Sequence, residues 1–168
     1  DAINFFVIKG NDALTFEKYK KGEFDYYEVS RSRVWVEECV ADEMKAIDKG
    51  WMKKHRIFSD RPAGTSGYGF NMRKFPFNDI NIRYAFGYLY DREKMNREMY
   101  YNEYEMMHSW FSGTMYENEE NIKFLYDPEK AIEHLKLAGF EKKNDEGILI
   151  NSDEKPLSFE IFTQNYLT

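Results

Sequence analysis

Residues 76–96 read PFNDINIRYAFGYLYDREKMN, and their order of signals decides the fold. They follow a glycine-punctuated segment at 61–75, RPAGTSGYGFNMRKF, in which Tyr68, Phe70 and Met72 alternate as one side of a strand. Pro76 cannot continue that strand, because it has no N–H for the ladder and its φ is fixed. Asp79 is a good N-cap, since its carboxylate can accept from the free N–H groups of a first helical turn. Ile82, Ala85, Phe86 and Leu89 then recur at the spacing of an amphipathic helix. Asp91 is placed to cap a second short helix carrying Met95 and Met99. The predicted order is a strand at 67–73, a proline stop, a capped helix and a second capped helix.

Upstream, NFFVIK at 4–9 reads as a buried strand. Asp12 can cap a helix running through Lys21, Gly22 ends it in the left-handed position, and 24–29 reads as a second strand. Two parallel strands joined by that helix would form a right-handed βαβ unit. Ser30 or Ser32 can cap a helix over 34–49, with Val36, Val40, Met44 (or Glu43) and Ile47 on one face and Gly50 closing it. A further strand is expected at 55–58. Downstream, residues 100–118 are dense in Tyr, Met and Trp without a clean period and read as a loop packed over the core. Pro128 behind Asp127 is the favoured start of a helix, with Ala131, Ile132, Leu135 and Ala138 as its buried stripe and Gly139 as its end. Residues 147–150 and 157–163 alternate as two strands around the turn NSDEKP.

With 168 residues the chain can bury a core, and 42% hydrophobic content with 13 Tyr and 14 Phe marks a folded protein. The net charge of −6, with both signs interspersed, argues against nucleic acid as a partner, which would require a basic face. No apolar run approaches the ~18–20 residues of a membrane span. The single cysteine, Cys39, excludes an internal disulfide and a cysteine zinc site.

The central grammar resembles a known family. Phe70, Asn71 and Arg73, then Pro76, Phe77, Asp79, Ile82, Arg83 and Ala85, then Asp91, Arg92, Glu93 and Asn96 are similar to successive motifs of the family 5 extracellular solute-binding proteins. These are the peptide and oligopeptide receptors of ABC importers. Residues 61–64 and 100–104 resemble an oligopeptide and microcin receptor branch. Residues 14–26 look like the family's helix before a G-E/D-x-D segment, and 127–140 like its P-x-K-A helix. Phe75 stands where a proline is common, and 110–114 match the family loop only loosely.

The resemblance implies an α/β fold: a central fragment of a two-lobe, periplasmic-binding-protein-like architecture with mixed sheets flanked by helices. Residues 1–66 would be part of lobe I and 67–168 the first part of lobe II, with the hinge strand near 67–73. It implies a binding component that captures a peptide or oligopeptide between lobes and delivers it to a membrane permease, not an enzyme, with no cofactor and no metal. The expected location is periplasmic or extracellular, membrane-associated through a parent lipoprotein anchor or the permease. Open strand edges in such a fragment would invite self-association.

The residues themselves leave alternatives. Gly64, Gly67 and Gly69 lack the spacing and the following helix of a phosphate cradle. His55, His108 and His134 are too scattered for a metal motif. Ser66 lies in no nucleophile elbow, and Glu119 and Glu120 are adjacent in a polar run. The aromatic loop suits core packing first and ligand stacking second. In the family reading, Tyr68 and Asn71 face the cleft, where a peptide backbone can pair with a strand edge. Arg73 could hold a ligand carboxylate bidentately or make a surface ion pair, and Trp110 is the loop's candidate contact. A free-standing α/β interaction module, or a glycan hydrolase with an acid pair in an aromatic cleft, are the competing readings.

Overall fold

The computed structural model describes residues 2–5, 8, 11–59, 61 and 66–163. They form two compact units, one reaching to Ile57 and including Thr163, the other spanning Phe58–Phe162. The architecture is mixed: five α-helices and one two-stranded antiparallel sheet among the described residues.

In the first unit, α1 (Asp12–Lys20) is capped one residue earlier than expected: Asn11 Oδ1 accepts from the Leu14 N–H at 2.9 Å. Asp12 instead sits in the first turn, where a negative charge suits the helix dipole, and pairs with Arg31 at 3.2 Å. The C-terminus is the Schellman arrangement that Gly22 predicts. Gly22, at φ +78°, donates to Tyr19 O at 2.8 Å, and Glu23 N–H donates to Lys18 O at 3.2 Å.

The expected helix over 34–49 is broken. Val34–Glu38 make a π-helical turn, in which the Cys39 N–H reaches back five residues to Val34 O at 2.8 Å, and α2 (Lys45–Asp48) follows a break. The reason is geometric. Cys39 and Met44 are both buried against Phe16, yet residues five apart lie about 140° apart around a straight α-helix. Breaking the helix lets both face α1. Tyr27 and Val29 pack onto the same cluster, with Tyr27 5.5 Å from Phe16 and 5.4 Å from Tyr19 between ring centres. Residues 24–29 and 55–58 carry no ladder, so the expected βαβ unit is not formed among the described residues. Part of the 4–9 strand (Phe6, Val7 and Lys9) lies outside the described residues.

In the second unit, α3 (Ile80–Leu89), α4 (Arg92–Met99) and α5 (Pro128–Leu137) start at Asp79, Asp91 and Asp127, each accepting a backbone N–H as an N-cap. The unit's core is α3 against α5: Ile82, Ala85, Ala131, Leu135 and Phe140 are buried together. Ala85 and Ala131, both fully buried, are small enough for the two axes to approach closely. Ile132 is corrected from the buried stripe to half exposure, at 51%. Contact runs along Ala131 and Leu135, one turn apart, and a residue one step from that line points sideways.

After Gly139, at φ +85°, β1 (Lys142–Lys143) pairs with β2 (Leu149–Ile150) in the register Lys142 opposite Ile150. The two strands expected around residues 151–156 contract to a single bridge, Ile150 to Pro156, with Leu157 N–H donating to Leu149 O at 2.7 Å. Asn151 accounts for the tight turn: its Oδ1 accepts from the Asp153 and Lys155 N–H groups.

Candidate functional site

The segment entering α3 carries three of the four candidate residues. Residues 67–73 make no ladder, and the chain turns from Met72 to Asn78 through a cis Phe75–Pro76 peptide. What anchors it is aromatic. Phe70 stacks on Phe77 at 4.7 Å, and Phe77 and Phe86 both meet Phe159 edge-on at 5.3 and 5.1 Å. Pro76 is fully buried beneath. Arg83 Nη1 donates to Phe77 O at 2.6 Å, tying the turn to the helix it precedes.

On that base Asn71 builds an Asx turn: its Oδ1 accepts from the Arg73 N–H at 3.1 Å, and its carbonyl accepts from Lys74 N–H at 3.1 Å. Asn71 and Arg73 are thereby brought together, both exposed. Tyr68 is 63% exposed and meets Tyr90 edge-to-face at 5.6 Å, just past the end of α3. Tyr90 is more confined: burial first, and then Tyr68 and Tyr100 beside it, push its phenol above the ordinary tyrosine value. Tyr100 in turn meets Tyr104 at 5.0 Å.

Trp110 lies on the following loop, 74% exposed, and no hydrogen bond or ring contact among the described residues joins it to the other three. The expectation that this loop packs over the core is corrected, since Tyr116 is also 71% exposed and Phe111 50%. The loop is held by polar contacts instead. Arg92 Nη1 donates to Met107 O at 2.9 Å, and its Nη2 donates to Phe124 O at 3.1 Å and lies 3.4 Å from His108 Nδ1. Asn96 clamps the backbone of Tyr104, with Nδ2 donating to its carbonyl at 2.6 Å and Oδ1 accepting its N–H at 3.2 Å. Asn121 Nδ2 donates to His108 O at 2.9 Å, closing the loop on itself.

Within the loop is an open cavity of about 380 Å³, lined among others by Met106, His108, Ser112, Glu117 and Lys123. The Glu117 carboxylate accepts the Gly113 N–H at 2.7 Å and the Ser112 hydroxyl at 2.8 Å. Those bonds, the Gly113 amide above all, hold Glu117 below the usual carboxylate range. The acid of a glycosidase needs the opposite displacement. Cys39 is buried in the first unit, and burial pushes its thiol up, away from nucleophilic use. Among the described residues no three His, Cys, Asp or Glu side chains converge as a metal site would require, and no helix is long and apolar enough to cross a membrane.

The chain matches the family described as bacterial extracellular solute-binding proteins, family 5 middle, over residues 1–168. The chain belongs to the family 5 extracellular solute-binding proteins. It is 28% identical to the y4wM protein of Sinorhizobium fredii over 96% of this chain and 29% of that protein. In Agrobacterium fabrum it is 28% identical to the "Probable peptide-binding protein YejA", over 60% of this chain and 16% of that one. It is also 27% identical to the "Peptidoglycan-binding protein YepA" of the same organism, over 89% of this chain and 30% of that one. The chain thus spans less than a third of the length of these relatives.

Most of the residues carrying the family resemblance have structural tasks in this family 5 chain. Asp79 and Asp91 cap, Arg83 braces the turn before α3, and Arg92 and Asn96 fasten the aromatic loop. The tasks of Arg92 and Asn96 were not read from sequence. One signal was present: a cation at the first position of a helix opposes the dipole, so Arg92 stands there for another reason.

Proposed function

We propose that this chain forms part of the substrate-binding component of an ABC importer, which captures a peptide or peptide-like ligand between two lobes and passes it to a membrane permease. The observation that carries the reading is the family match across all residues, supported by relatives named for peptide and peptidoglycan binding. The protein acts by binding and not by catalysis, as its family does, and would work outside the cytoplasm where that family's ligands are met. Residues 1–66 belong to one lobe and 67 onward to the next. Closure requires that ligand bind the closed state better than the open one.

Tyr68, Asn71 and Arg73 supply the ligand contacts at the entry to α3, and Trp110 a ring from the neighbouring loop. Exposed tyrosines offer flat, stiff surface at low entropic cost, and the guanidinium of Arg73 suits a carboxylate. Exposed apolar side chains such as Leu137, at 71%, favour association between copies at high concentration; a monomer by sedimentation at high concentration would remove that part.

Titration calorimetry against short peptides, including peptides cut from peptidoglycan, tests the reading on this chain beside a longer protein containing it. Tight binding by the longer protein and none by the chain alone is expected of a site shared between lobes. Saturable binding by the chain alone would confine the site to these residues and favour an interaction module. No binding by either would end the peptide reading.

A further inference from the structure

We propose that Arg92 and His108 form a pH-sensitive latch, which releases the loop carrying Trp110 when the imidazole takes up a proton. A guanidinium has donors only, so the Arg92 Nη2 contact to His108 Nδ1 at 3.4 Å is favourable while Nδ1 carries a lone pair. A proton there sets two cations against each other at that distance. The same guanidinium donates to Met107 O and Phe124 O, one on each arm of the loop. Displacing it therefore loosens both arms together. The Asn121 bond to His108 O links the arms at the same crossing.

The charges facing His108 set the direction. Arg92 approaches from α4, and Lys123 and Glu117 from the loop, with Glu119 on the same cavity. The two cations oppose protonation and Glu117 favours it, but that carboxylate is already engaged by Gly113 and Ser112. Burial first, then Arg92 and Lys123, hold the imidazole below its ordinary value of 6.5. A freed loop therefore takes the proton more readily than a latched one. The latch is fully closed above that ordinary value and loosens as pH falls through it toward the lowered one. The device stands on the loop's own contacts and holds whether or not the loop touches a ligand.

Amide hydrogen exchange at about pH 7.5 and about pH 5.5, corrected for intrinsic chemistry, reads the latch on either side of the histidine range. Peptides covering 105–124 are expected to lose protection severalfold at the lower pH, while α3 and α5 keep theirs. His108→Gln, neutral and still able to accept, should keep the loop protected at both. Equal protection at both pH values in the native chain, or the same loss in H108Q, would overturn the latch. Imidazole NMR on the native chain gives a second check. His108 should titrate below about 6.5, with Nδ1 unprotonated at neutral pH; titration at or above that value, or a proton on Nδ1, would refute it.

Discussion

The α3–α5 pair and the aromatic loop after α4 lie in one compact unit and hold themselves together by different physics. The helix pair buries Ile82, Ala85, Ala131, Leu135 and Phe140, and its strength is the area taken from water. The loop leaves Trp110 and Tyr116 exposed and relies on a few directed bonds from Arg92, Asn96 and Asn121. Burial is distributed, largely indifferent to pH, and felt globally when disturbed. Directed bonds are concentrated, sensitive to protonation, and felt locally. A binding protein gains from the combination, since a firm base can carry a loop that opens.

The comparison can be broken or sharpened by substitution. Ile82→Ala should have the largest effect, a global loss of about 3 kcal/mol from the transfer and cavity terms together, read by urea unfolding. A loss confined to one segment would mean that the helix pair is not the unit's common core. Arg92→Ala should cost about 2 kcal/mol, the worth of charged hydrogen bonds removed from carbonyls that are then left short. Its signature is local: exchange protection falls over 105–124 and persists in α3 and α5.

Gly87→Ala probes the point where the two regions touch. A Cβ there would stand 2.7 Å from the Phe124 ring, on the loop's second arm. The alanine gains about 1 kcal/mol of helix propensity and loses a similar amount to overpacking. Little net change in unfolding is expected, with the Phe124 ring visibly displaced by NMR; an unmoved ring would show that the helix yields instead. The smallest effect should come from acid at Asp127. Its carboxylate is held below the ordinary 3.8 chiefly by the Lys130 N–H it caps. The cap is therefore intact above that value and lost as pH falls through the lowered one. Circular dichroism below about pH 4 should show the start of α5 fraying, and Asp127→Asn should abolish that step.

The local grammar of the second unit was legible because neighbours in sequence supply it. Asp79, Asp91 and Asp127 cap where they stand, and Gly139 ends α5, as Gly22 ends α1 in the first unit, because positive φ costs glycine little. The misreadings share a cause. The helix over 34–49 had an acceptable periodicity, but Cys39 and Met44 were both wanted by Phe16, and the chain broke to deliver them. At α1 the cap fell to Asn11, whose Oδ1 takes the Leu14 N–H, while Asp12 one step later pairs with Arg31, nineteen residues away.

The same division runs through the candidate site. Family membership, the capped helices and the identity of the aromatic side chains could be read along the chain, since propensity, capping and periodicity act over a few residues. Whether Tyr68 would meet Tyr90, whether Trp110 would be buried, and what Arg92 would hold could not. Those are contacts across 15 to 32 residues for the Arg92 cluster, and their free energies depend on which surfaces the folded chain happens to exclude from water. Arg92 at the head of a helix was visible in the sequence as an electrostatic misfit; only the tertiary structure supplied the two carbonyls and the imidazole that make the position favourable.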